Sequence, residues 1–289
     1  METTNATTPR AEPESVRAPI RARVINFQFG PEIPRYWLFG SPRATHIANG
    51  VNLLFPLGER FFIRSVRAYV DRLTDPALAA QVRGFMAQEV RHGIEHERFF
   101  ESLRAHGYEI DEFLADYEAF AFGKLEKHTP KALNLAITVA LEHFTAVLAA
   151  RALTVDVLDH AHPIMADLLR WHAAEEIEHK AVAFDVLQAV HPSYAIRIVG
   201  LGFAGALLGA YWAKASAMLR AQDRAAGRRE PEPHLPELRA RHDQMRGALL
   251  RAAFSYLRPG FHPNDHADAS LADEFFARWT RVYGAKRAA

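Results

Sequence analysis

Two Glu-x-x-His triplets, Glu89 to His92 and Glu176 to His179, recur in this 289-residue chain, and each follows an upstream glutamate. Glu59 lies 30 residues before Glu89, and Glu142 lies 34 before Glu176. A glutamate and a histidine three apart stack on one helix face, about one turn from each other. One such pair is commonplace; the spacing of the upstream glutamates is not. If a hairpin turns near Asp75, Glu59 stands 16 residues before the turn and Glu89 stands 14 after it. At a rise of about 1.5 Å per residue the two reach nearly the same height on antiparallel neighbours. For a second hairpin turning near Asp159 the offsets are 17 and 17, so Glu142 and Glu176 match too. Four helices would thus deliver four carboxylates and two imidazoles at one level.

The apolar periodicity is helical nearly throughout, and no stretch alternates as strands do. Helices are expected over Pro56–Leu73, Pro76–Ala105, Pro130–Thr154 and Pro163–Val190. Thr74-Asp75-Pro76 supplies a stop and a cap between the first two. Val24–Asn52, with prolines and glycines among aromatics, reads as an irregular strap, and Tyr108–Thr129 as a looser stretch. The domain reading is a disordered leader over 1–21, a strap and metal-binding bundle over 22–192, and an appended region over 193–289. That region holds an apolar segment (Tyr194–Leu219), an exposed basic linker (Arg220–Pro236), a helix (Leu238–Leu257), a turn and a short aromatic helix (Asp273–Tyr283).

The fold class expected is therefore all-α: a four-helix bundle of two hairpins with additional C-terminal helices. Its inward ligand set, Glu59, Glu89, His92, Glu142, Glu176 and His179, resembles that of ferritin-like di-iron and di-manganese carboxylate proteins. Carboxylates can bridge two cations and offset their charge, and imidazoles complete the coordination. Four buried carboxylates without cations would be costly, and the apolar neighbours Phe61, Phe62, Leu141 and Phe144 place these residues inward. His172, four before Glu176, is expected as a seventh ligand, and His96, four after His92, as a second-layer partner. His143 points about 100° away from Glu142 and is not expected to ligate. Glu175 and Glu178 are expected in solvent or in ion pairs, and His262, Asp265 and His266 in a packed turn rather than a second site.

His172, Glu176 and His179 together resemble the di-iron arylamine N-oxygenases, in which an extra histidine joins the usual six ligands. Phe55-Pro56-Leu57-Gly58-Glu59-Arg60-Phe61-Phe62, Gln88-Glu89-x-x-His92-x-x-x-His96 and Arg258-Pro259-Gly260-Phe261-His262-Pro263 resemble a bacterial family of predicted metal-dependent hydrolases. The second resemblance covers most of the chain from about Arg21 and implies hydrolysis. The ligand set favours an oxygenase or oxidase with two metal ions, iron ahead of manganese or zinc, acting on a small apolar substrate with an external electron donor. A di-metal hydrolase is the alternative, and metal storage the third reading.

Composition closes other routes. No cysteine is present, which excludes thiolate metal sites, Fe–S clusters and disulfides. A net charge of +1 gives no reason to expect nucleic acid. The leader lacks the apolar run of a signal peptide, which points to the cytoplasm. Ile198–Ala213 carries no charge over 16 residues, short of the ~20 that span a bilayer. Its Gly205-x-x-x-Gly209 pattern permits close helix packing. The segment 194–219 is thus expected as a buried or homodimer-interface helix, with membrane contact as the alternative.

Overall fold

The computed structural model describes residues 20–228, 230, 232–233 and 236–287; most of the expected leader, residues 1–19, lies outside them. From residue 22 to Ser41 the chain runs as the expected strap, with one isolated antiparallel bridge from Leu38 to Ala161. The rest of the strap is not irregular, because Pro42–Asn52 forms α1. Ser41 is its N-cap, the Oγ accepting from the Ala44 amide at 3.0 Å, and Pro42 takes the first turn, where its missing donor costs nothing. Gly50, read in the sequence as a strap residue, serves packing instead: a Cβ there would stand 2.3 Å from Ser216 Oγ.

Phe55–Arg67 is α2, and Pro76–Ala105 is α3, opened by Asp75 capping the Ala77 amide. The stretch expected to be loose is mostly helical. Asp111–Glu118 is α4, with two acids in its first turn to favour the helix dipole. It runs into a π-helical segment, Ala119–Glu126. Lys131–Thr154 is α5. The single helix expected over Pro163–Val190 is broken into α6 (Pro163–His179) and α7 (Val182–Val190). At the break Lys180 donates to Asp268 and to the His266 carbonyl, tying the bundle to the tail. Tyr194–Ala225 is α8, Pro236–Tyr256 is α9 and Ala269–Arg287 is α10. Among the described residues there is no strand, and the fold is an all-α helical bundle, as expected.

The hairpins α2–α3 and α5–α6 pack against each other. Phe61, Phe85, Ile137 and Leu187 fill one side of the core, and Phe99, Met165 and Trp171 the other. Against α5 and α1 lies α8. Gly200 permits this approach, since a Cβ there would lie 2.6 Å from the Ala136 carbonyl oxygen. Gly202, Gly205 and Gly209 meet nothing, so the Gly-x-x-x-Gly pattern makes no close helix contact within the described chain. The outer face of α8 instead exposes Val199 and Phe203. By length and composition alone, α5 and α8 could each cross a membrane; α5 is mainly buried within the protein and α8 is not.

The expected exposed linker also begins later than the sequence implied. Arg220–Ala225 continues α8, because Asp223 is drawn inward by four donors. Further on, the Arg258–Asp265 turn packs as expected: Phe261 is buried, and His262 Nε2 lies 2.9 Å from Asp185 Oδ1.

Candidate metal centre

Glu59 comes from α2, Glu89 and His92 from α3, Glu142 from α5, and His172, Glu176 and His179 from α6; all seven are buried. Their donor atoms converge. His179 Nε2 lies 3.1 Å from Glu89 Oε1, 3.4 Å from Glu142 Oε2 and 3.6 Å from Glu176 Oε1. His172 Nε2 lies 2.9 Å from Glu176 Oε1 and 3.6 Å from Glu59 Oε1. His92 Nδ1 lies 3.8 Å from both Glu89 Oε1 and Glu176 Oε1. Three overlapping sets bring their donor atoms within 4.8 Å of one another: Glu59–His92–His172, Glu89–His92–Glu176 and Glu89–Glu142–His179.

What these atoms lack is as telling as what they touch. Both oxygens of Glu59, of Glu89 and of Glu142 are buried without a hydrogen-bond partner, as are His92 Nδ1 and His179 Nε2. Buried polar atoms are nearly always satisfied, so a cluster of orphans facing one another calls for cations. The nitrogens on the far side of each ring are held. His92 Nε2 meets Glu175 Oε2 at 3.0 Å, His179 Nδ1 meets Gln88 Oε1 at 3.0 Å, and His172 Nδ1 meets His96 Nε2 at 2.7 Å. Such outer partners fix a ligating imidazole's tautomer and orientation. The residues therefore fit metal ions with N/O donors.

Arg23 closes this outer layer. Its guanidinium donates to Glu175 at 3.0 Å and to both oxygens of Glu178 at 2.7 Å, and Glu178 accepts from Gln88 Nε2 at 2.8 Å. Glu175 and Glu178 are ion-paired, as expected, but Glu175 is not in solvent: it is fully buried behind His92. His96 contacts the cluster through His172, and His143 lies apart, 3.0 Å from the Ala252 carbonyl. Arg23 was not foreseen, since it lies in the strap, where no periodicity signals which way a side chain faces. Gln88 and Glu175 carried a signal, each being the residue immediately before a Glu-x-x-His glutamate.

Electrostatics follow from burial. It pushes the Glu59, Glu89 and Glu142 carboxyls well above the ordinary range, and the neighbouring acids add to the rise. Burial opposes ionisation of Glu176 too, but His179 and His172 outweigh it and hold that carboxyl well below its usual value. Burial, with His172 adding to it, keeps His92 and His96 neutral. Neutral imidazoles are the form that binds metal. Aromatic edges enclose the site: Trp171 lies 5.0 Å from the His92 ring, Phe85 5.0 Å from His179, and Phe55 4.5 Å from His172.

The molecule is thus an all-α protein with a buried carboxylate and imidazole cluster able to hold metal. Residues 21–267 match the family model described as "predicted metal-dependent hydrolase", and the chain belongs to that family. Comparison with curated proteins and with solved structures finds no match. The family description favours hydrolysis, the alternative in the sequence reading, over the oxygen chemistry placed first there.

Proposed function

We propose that the protein is a hydrolase whose reaction centre is a pair of metal ions held by Glu59, Glu89, His92, Glu142, Glu176 and His179, with His172 as a seventh ligand. One observation carries the reading: eight buried donor atoms on five of these residues face one another without partners, in a chain of a family described as metal-dependent hydrolases. Bound there, two ions would supply Lewis-acid polarisation of an ester, amide or phosphoryl oxygen and lower the pKa of a water nucleophile.

The chain's own residues do the rest. Glu175 and Gln88 hold His92 and His179 with their inner nitrogens toward the carboxylates. Thr145 Oγ1 donates to Glu176 Oε2 at 2.5 Å, fixing which oxygen that carboxylate turns inward. Phe55, Trp171 and Phe85 pack on the rings of His172, His92 and His179 and cover the cluster on those sides.

A second reading, oxygen activation at a ferritin-like di-iron centre, is favoured by the donor set itself. Four carboxylates, three imidazoles and no thiolate, one glutamate from each of four helices, follow the pattern of such bundles. It would require an external reductant. The two readings separate in one assay. Metal-stripped protein is reloaded with Zn²⁺, Mn²⁺ or Fe²⁺ and offered p-nitrophenyl esters and phosphate esters, with dissolved oxygen followed in parallel. Hydrolysis that returns with Zn²⁺ or Mn²⁺ and ignores oxygen supports the hydrolase. Oxygen uptake with Fe²⁺ and a reductant, without hydrolysis under any metal, contradicts it.

A further inference from the structure

The cluster is not sealed on every side. A cavity of about 1060 Å³ has His172, Glu176 and Thr145 in its wall. That is at the upper end of the range for small-molecule sites, roughly 300–1000 Å³. From the cluster it follows two stripes of side chains. On α5 these are Thr145, Leu148 and Ala152; on α6, Glu176, Ala173 and Leu169. The lining between is mostly apolar, and α1 and the stretch 241–245 of α9 bound its other side.

At the far end the character changes. Arg151 lies nine residues beyond Glu142 on α5, about 13 Å along the axis at 1.5 Å per residue. It is half-buried and lines the cavity together with Arg241 and Arg43. Arg241 is committed, donating to both oxygens of Asp156 at 2.5 and 2.9 Å. The two acids at this end of the wall are also engaged. Glu232 accepts from Ser41 Oγ and the Arg43 amide, and Asp243 lies 3.6 Å from Arg246. Among the described residues no carboxylate lies within ion-pair distance of Arg151. A guanidinium in the wall of a mostly apolar cavity is matched by an anion presented from within it, and its planar fork suits carboxylate and phosphate alike.

We propose that the cavity binds an apolar acyl or aryl chain bearing an acidic group, with the acid on Arg151 and the reactive group at His172 and Glu176. This rests on reading the cluster as a reaction centre. In the hydrolase reading the substrate is an ester or amide within such a chain. Water supplies the hydroxyl to the acyl carbon and a proton to the departing alkoxide or amine.

Calorimetric titration of the metal-loaded, full-length protein with decanoate, decyl phosphate and decanol tests this without any turnover. Both anions should bind more tightly than decanol. Arg151→Gln should weaken the anions by about tenfold, the loss of one charge-assisted contact, and leave decanol binding and metal content unchanged. Whichever anion loses more identifies the headgroup. Ala152→Phe should abolish binding of all three while the metal stays. Decanoate affinity unchanged in Arg151→Gln would overturn the proposal, since the head would then be held elsewhere, the metals included. Loss of ester hydrolysis alone would count against the hydrolase reading and leave these affinities standing.

Discussion

Two of the places where the described residues bury several ionisable side chains are built on opposite terms. Around Asp223 every charge is answered. His46 Nε2 lies at 2.5 Å, the Tyr108 hydroxyl donates at 2.8 Å, Tyr36 at 3.0 Å and Arg228 at 3.0 Å. Burial works against that carboxylate, yet its donors hold it charged and below its ordinary range. The network ties the end of α8 to the strap and α1, and its work is finished when the chain is folded. At the Glu59–Glu89–Glu142 cluster the carboxylates have no donor at all, and burial pushes them toward the neutral form. A buried carboxylate answered by donors is architecture; a cluster of unanswered ones, with its outer shell held by Arg23, Gln88 and Glu175, is prepared for something that arrives later.

Substitutions should separate the two regions. Glu89→Ala or Glu176→Ala should leave a folded protein that fails to retain a full complement of metal, read by elemental analysis of purified protein. If both variants keep full metal, the cluster is not the site.

The next effect is on pH. In the metal-free fold Glu59, Glu89 and Glu142 hold protons that the unfolded chain has released, so stability falls as pH rises above the unfolded value. Below about pH 6.5 the lowered histidines His92 and His96 oppose that slope, because unfolding lets them take up protons. Above it the raised carboxylates alone set the slope, which is downward with pH. Thermal melts from pH 6.5 to 8.5 should show the metal-free protein losing stability and the loaded protein much less. A flat metal-free profile would contradict the directions given for these three acids.

Asp223→Ala should cost about 3 kcal/mol in a denaturant titration, since it leaves His46 and Arg228 without their shared acceptor. It should leave metal content untouched, and a drop in both would blur the distinction between the regions. The smallest effect belongs to the outer shell. Glu175→Gln keeps the shape but weakens the hold on His92, and metal affinity should fall by about 10–100-fold with the melting temperature of the metal-free protein little changed.

Much of this site is written in spacing. The periodicity of α2, α3, α5 and α6, the nearly equal offsets about Asp75 and the equal ones about Asp159 bring the seven inner residues to one level, because helix geometry converts sequence distance into height. What spacing does not encode is the partner of an irregular segment. Arg23 reaches α6 across 152 residues, and Asp223 collects donors from the strap, α1 and its own turn. Those pairings depend on how helices are placed against one another, which no local period records. Proline was ambiguous for a related reason. Pro42 marks the start of α1 rather than a break, and only the capping bond of Ser41 distinguishes the two. The cavity leading to Arg151 had no signature either, since its walls come from helices that meet only in the folded chain.

The central claim is that the buried cluster holds two metal ions, and equilibrium dialysis of the stripped full-length protein against Zn²⁺, Mn²⁺ and anaerobic Fe²⁺ tests it most directly. The account predicts two tightly bound ions per chain for at least one of these metals, at most one in Glu89→Ala or Glu176→Ala, and two in Asp223→Ala. Fewer than two ions per chain under all three conditions, or two ions retained in Glu89→Ala and Glu176→Ala alike, would contradict it.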